Sequence, residues 1–188
     1  MHQHSSKLQR ADLIKMQPQL AQFEAELASE GSPIVSIVKG MTFAYIRIGS
    51  MGALRAIQLC PVPTSDFVSL DEAWAPSFVA SYFYYVDEAA SSKNNVKLNC
   101  RMIESQFGED PATGSGAAGL AAYLAMEDAK SHTGSNSRAE SYKLEIDQGV
   151  ELGRPSKIRL EVRLNEDGKP SAILEAGCAV QIMAGRLI

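Results

Sequence analysis

GEDPATGSGAAGLAAYLAMED, residues 108–128, is the stretch on which the fold of this chain turns. A helix lying on a domain surface shows one polar face, whereas residues 115–128 are apolar or small at every helical angle until Glu127. Such a helix has to be enclosed on every side. Its Gly and Ala positions let the surrounding backbone approach closely. The segments around it read as strands, so the fold class is α+β: a helix running through the middle of a curled, mostly antiparallel, strand-rich sheet or barrel.

Working outward, residues 34–48, 78–86 (FVASYFYYV) and 96–103 (VKLNCRMI) are rich in β-branched and aromatic residues and read as strands. In the second of these, alternation sends Tyr82 and Tyr84 to one face and Phe83 and Tyr85 to the other, as core or interface packing residues with ligand stacking as the alternative. In residues 157–164, Ile158, Leu160, Val162 and Leu164 alternate strictly with Lys157, Arg159, Glu161 and Arg163, which predicts one wet and one buried face. Asn165 to Gly168 supplies a turn, and residues 172–183 return as the second arm of a hairpin. A short helix is expected near Ser69, with Glu72 in capping-box position and Pro76 limiting its length. Residues 11–30 fit a peripheral amphipathic helix interrupted near Pro18 and ended by Gly31 and Pro33. No repeat or linker divides the chain, so residues 1–33 read as a tail plus peripheral helix and residues 34–188 as a single domain.

Composition narrows the function. With 18 Lys plus Arg against 22 Asp plus Glu, the net charge is −4. There is no basic surplus to attract phosphates, and no nucleic-acid partner is expected. The uncharged run at residues 111–126 is shorter than the roughly 20 apolar residues of a bilayer span, so no membrane is expected either. The three cysteines, Cys60, Cys100 and Cys178, form no CxxC pair. They read as reduced, buried thiols. Residues 1–10, MHQHSSKLQR, lack a secretory apolar core, and the expected location is the cytoplasm. His2 and His4 are assigned to a disordered terminus and no metal is expected.

The candidate site lies where the enclosed helix begins, at Gly108 to Gly116. A helix N-terminus leaves about four N–H groups unpaired and carries roughly half a positive charge, which makes it a ready anion site. Gly114 and Gly116 remove side chains that would block those donors. Alternatively, Ser115 or Thr113 caps the helix from within. Asp110 and Glu109 carry two readings as well: balancing the helix dipole, or moving a proton at the α-carbon of a bound organic acid while the helix end stabilises the enolate. Neither a P-loop, a Rossmann fingerprint nor a nucleophile elbow is present, and His132 is the one histidine beyond the N-terminal segment. No cofactor is expected.

GEDPATGSGAAGLAAYL at 108–124, QGVELGRPSKI at 148–158 and GCAVQIMAGRL at 177–187 together resemble the motifs of the PhzF-like, phenazine biosynthesis-like family, which has the diaminopimelate-epimerase fold. VSIVKGMTFAYI at 35–46 resembles it more weakly. The resemblance is to the second half of a two-half architecture in which each half wraps a central helix and the active site lies where the helix N-termini converge. It implies cofactor-independent isomerisation or epimerisation of a small organic acid by proton transfer. By resemblance, Asp110 takes the acidic position near the substrate, and Ser115 with the backbone of Thr113, Gly114 and Gly116 holds the substrate carboxylate. The family's principal acid/base glutamate belongs to the first half and has no counterpart here.

Three readings follow. The chain is an enzyme using Asp110, Glu109 and Ser115, its pocket completed by self-association as a homodimer. Or it is one subunit of a split enzyme whose partner chain supplies the other half. Or it is a non-catalytic binder of small carboxylates. Arg154 either steers an anionic substrate or simply sits in the tight connection between two strands.

Overall fold

Alternating strand residues assemble here into one sheet that curls around the central helix. The computed structural model describes residues 1–92, 95–131, 141–179 and 184. The sheet begins with β1 (His2–Leu8), β2 (Ser32–Val38), β3 (Met41–Arg47), β4 (Phe78–Val86) and β5 (Asn95–Glu104). It continues through β7 (Tyr142–Gln148), β8 (Ser156–Leu164) and β9 (Pro170–Gly177), while the short β6 (Gly108–Asp110) pairs with β5 off this path. Neighbours are antiparallel except β3–β4 and β5–β7. Among the described residues three α-helices accompany it: α1 (Arg10–Met16), α2 (Met51–Ala56) and α3 (Gly114–Ser131). Because α3 packs against β2 near one edge and against β7, β8 and β9 at the other, the sheet has to curl. The result is the α+β half-barrel expected from residues 108–128.

The two faces of the sheet build two cores. Phe43, Tyr45, Tyr82, Tyr84, Leu98 and Ile146 point inward onto α3. Ala44, Ile46, Phe83 and Ile103 point outward under α1, α2 and the 3-10 segment Pro18–Glu26. The predicted division of Tyr82 and Tyr84 from Phe83 and Tyr85 is therefore observed. Strands β3 and β4, covered on both faces, read as near-continuous apolar runs. Strand β8 has helix on one face only and alternates, with Ile158, Leu160 and Val162 buried and Lys157, Arg159 and Arg163 exposed.

Several expectations are corrected. Residues 2–8 are not a disordered tail: they pair with β2, and His4 is buried. Residues 34–48 are two strands joined at Gly40, whose φ of +87° suits the reversal. No capping box forms at Ser69; a single 3-10 turn, Glu72–Trp74, opens after Asp71 without a side-chain cap. Pro76 restricts the preceding residue and keeps that turn short. Of the cysteines only Cys100 is buried, Cys60 being half-buried and Cys178 exposed; all are free thiols. The hairpin turn forms with Gly168 at φ +74°, and the part of the returning strand at residues 180–183 lies outside the described residues, as does His132. Helix α3 is fully enclosed from Gly116 to Ala122 but opens afterwards, where Tyr123, Leu124 and Met126 are half-buried. There Met126 borders a groove of about 580 Å³ between the edge strands β1 and β9. Among the described residues no helix is long and apolar enough to cross a membrane.

Candidate functional site

Strand β6 ends at Asp110 and hands the chain through Pro111 and Ala112 to the start of α3. The helix begins when the Thr113 carbonyl accepts the Ala117 N–H at 2.9 Å. The Thr113 hydroxyl donates to Asp110 Oδ2 at 2.9 Å and accepts from Gln148 Nε2 at 2.8 Å. Asp110 Oδ1 accepts the Ala112 N–H at 3.3 Å. Gln148, fully buried at the end of β7, clamps the loop: its Nε2 also donates to the Asp110 carbonyl at 2.8 Å, while its Oε1 accepts the Tyr82 hydroxyl at 2.9 Å and the Thr113 N–H at 3.4 Å. Every polar atom of the Gln148 amide is used, which fixes both Asp110 and the first turn of α3.

Among the described residues no side chain caps the amides of Gly114, Ser115 and Gly116. Ser115 is half-buried beside them. The glycines have more specific causes than open access. A Cβ at Gly116 would lie 2.7 Å from the Tyr82 ring, so the ring whose hydroxyl donates to Gln148 Oε1 needs a glycine above it. A Cβ at Gly114 would lie 2.6 Å from Glu175 Oε1. Thus a carboxylate from β9 reaches the first residue of α3, and its partial loss of hydration pushes the Glu175 pKa up.

The remaining predicted residues separate from this cluster. Glu109 accepts from Arg101 Nε at 2.9 Å and Nη2 at 2.6 Å, in a pair whose side chains are 11% and 8% exposed. Arg101 Nη1 further donates to the carbonyls of Leu54 and Ile57 at the end of α2, at 3.0 and 2.8 Å. Glu109 is therefore neutralised in a buried bidentate pair, while Asp110, and Glu175 approaching from β9, have no ion-pair partner among the described residues. Arg154 is exposed in the turn between β7 and β8, where its N–H closes onto the Gly149 carbonyl at 3.0 Å. Gly149, at φ +75°, has its missing Cβ 2.5 Å from the Arg154 carbonyl and 2.8 Å from the Pro111 carbonyl, so this turn buttresses the loop before α3.

Three residues of the cluster were not singled out from the sequence as site residues. Gln148 had a signal, since it opens the QGVELGRPSKI block, and Tyr82 read chiefly as packing. Glu175 had none: its approach to Gly114 comes from the curl of the sheet, which carries β9 back over α3.

The phenazine biosynthesis-like protein model, PhzC-PhzF, matches residues 14–185. A protein of Mesorhizobium japonicum named as an uncharacterized isomerase is 29% identical over 162 residues, covering 86% of this chain and 50% of that protein. A second uncharacterized isomerase, from Clostridium acetobutylicum, is 26% identical over 184 residues, covering 97% of this chain and 53% of its own length. The chain thus spans about half the length of the curated relatives it matches. The crystal structure of the Bacillus anthracis phenazine biosynthesis protein of the PhzF family shares the fold, with a TM-score of 0.50 at 14% identity over 81% of this chain and 51% of that one. A model match over most of the chain, on the strand-wrapped helix described above, means that this chain belongs to the phenazine biosynthesis-like, PhzC-PhzF, family.

Proposed function

We propose that this chain holds a small organic acid by its carboxylate at the N-terminus of α3 and takes part in a cofactor-independent isomerisation or epimerisation by proton transfer. The observation that carries this reading is the uncapped start of α3 beside a fixed carboxylate: the Gly114, Ser115 and Gly116 amides face no protein acceptor among the described residues, while Thr113 and Gln148 hold Asp110 next to them. Amides in that position stabilise both a bound carboxylate and the negative charge that develops when an α-proton leaves. Asp110 is the acid/base group in this reading, and the Ser115 hydroxyl donates to the bound acid. Glu109, engaged by Arg101, positions β6 and does not move protons. The names of the Mesorhizobium and Clostridium relatives support an isomerase class.

The test is α-proton exchange. The chain is incubated in D₂O with a panel of amino acids and shikimate-derived acids, and deuterium at the α-carbon is followed by NMR. Exchange by the wild-type chain that falls at least 100-fold in Asp110→Asn, with unchanged folding, is the expected result. Equal exchange by both refutes the role of Asp110. The chain's share of its relatives' length favours a second reading, in which the pocket is completed by another polypeptide or another copy of this one. Exchange that appears only when a second chain is added, or only above a dimerisation threshold, distinguishes these.

A further inference from the structure

At the opposite edge of the sheet from β9, the His-x-His spacing of β1 places His2 and His4 on one side of the strand. The pairing of β1 with β2 shifts register between Gln3 and Lys7, which lets Ser5 turn toward the same loop. That loop, running through Ser69 and Asp71 to Trp74, crosses over the strand. Ser6 Oγ donates to the Ser69 carbonyl. Asp71 Oδ1 accepts from Ser5 Oγ at 2.7 Å and Ser5 N at 3.3 Å. Asp71 Oδ2 lies 2.7 Å from His2 Nε2 and 3.8 Å from His4 Nδ1. The Trp74 ring stacks on His2, with centroids 4.7 Å apart and planes 4° from parallel.

The hydrogen bonds settle which nitrogen of His4 is free of a proton. The Asp71 N–H donates to His4 Nδ1 at 3.0 Å, so Nδ1 carries a lone pair. Nε2 therefore carries the proton and gives it to Ser36 Oγ at 2.8 Å, and Ser36 continues through Thr42 at 2.6 Å to Ser77 at 2.7 Å. That is the supporting arrangement of a metal-binding histidine: the far ring N–H is donated to a fixed partner, which sets tautomer and ring orientation. The ligand atoms of His2, His4 and Asp71 all lie within 4.8 Å of one another, and this is the one such His/Cys/Asp/Glu cluster among the described residues.

We infer that His2, His4 and Asp71 form a binding site for a divalent ion of the zinc class, with solvent completing the coordination. Metal–ligand bonds of about 2.0–2.1 Å place tetrahedral ligand atoms roughly 3.3 Å apart, between the 2.7 and 3.8 Å found here. The ion takes the lone pairs of His2 Nε2, His4 Nδ1 and Asp71 Oδ2; His2 shifts its proton to Nδ1, and the Asp71 N–H gives up its bond to His4. Two imidazoles and one carboxylate select zinc-like ions over Mg²⁺ or Ca²⁺, which prefer oxygen. The site joins β1 to a loop 69 residues away in sequence, so the ion acts as a clip on the edge of the sheet.

Trp74 is the sole tryptophan, and it stacks on a proposed ligand, so its emission reports the site directly. ZnCl₂ is titrated into the full chain, with Trp74 fluorescence and calorimetry read in parallel. The expected result is one saturable Zn²⁺ per chain, no response to Mg²⁺, and a loss of affinity of at least 30-fold in both His2→Ala and Asp71→Asn. Those variants are chosen over His4→Ala because His4 is buried, and each is first shown to unfold cooperatively and to keep the wild-type circular dichroism spectrum in EDTA. His132→Ala keeps full affinity. The absence of saturable 1:1 binding overturns the proposal. So does binding that survives both variants, or binding lost with His132→Ala.

Discussion

Replacing Gly119 by alanine in the middle of α3 reverses the usual sign of that substitution. In an ordinary helix interior, Gly→Ala stabilises by about 1 kcal/mol. Here the new Cβ would lie 2.1 Å from Tyr45 Oη, while the next ring atom, Cζ, is 3.3 Å away. Tyr45 is fully buried and its hydroxyl donates to the Gly116 carbonyl at 3.0 Å, so the phenol has no solvent to move into. Displacing it costs roughly 1–3 kcal/mol for overpacking. A further 1–3 kcal/mol or so goes with the buried hydroxyl left unpaired, the Gly116 carbonyl keeping its bond within the helix. Set against the helix gain, Gly119→Ala should lose about 1–5 kcal/mol in urea unfolding. The second half of the experiment is Tyr45→Phe, which deletes the clashing oxygen. Alone it should cost about 1 kcal/mol, yet combined with Gly119→Ala it should restore at least about 1 kcal/mol relative to Gly119→Ala alone. Additive losses, or a stabilised Gly119→Ala, would refute the claim that Gly119 is there to admit the Tyr45 hydroxyl.

Glu109→Ala leaves the Arg101 guanidinium buried without its carboxylate, and should destabilise by about 3–5 kcal/mol; a loss below about 1 kcal/mol in urea unfolding would show the pair to be dispensable. Asp71 is drawn from 3.8 down to about 2, chiefly by the Ser5 hydroxyl and His2. A depressed carboxylate contributes stability above its unfolded pKa and loses it as pH falls through the folded one. The deficit of Asp71→Asn relative to wild type should therefore be constant at neutral pH, shrink between 3.8 and about 2, and vanish below; thermal melts across that range test it. Gln148→Leu removes the clamp on Asp110 and Thr113 and orphans the Tyr82 hydroxyl. It should cost about 2–4 kcal/mol and also abolish any α-proton exchange, whereas exchange at the wild-type rate would separate the clamp from the chemistry.

Much of this was legible in the sequence because local chemistry dictates it. The all-round small and apolar character of residues 115–126 could only be a wrapped helix, and the strict alternation in β8 could only be a strand with one wet face. Turns at Gly40, Gly149 and Gly168 use the positive φ that glycine tolerates. Residues 108–116 marked the helix start, where the Thr113 hydroxyl donates to Asp110. What sequence could not supply are the contacts made by residues far apart along the chain. Whether Glu109 or Asp110 is taken up in an ion pair depends on Arg101, which alternation within β5 sends to the opposite face from Cys100. The amide of Gln148 reaches Asp110 only because β7 lies parallel to β5 with β6 on its far end. The N-terminal histidines looked like a loose end because seven polar-rich residues have no core of their own; pairing with β2 and a loop from residue 71 gives them one. Sequence thus determined which segments are helix and strand and where the helix dipole opens, since backbone propensity and periodicity are local. The curl of the sheet decided which side chains arrive at that opening, because it brings β4, β7 and β9 to α3 across separations that no periodicity encodes.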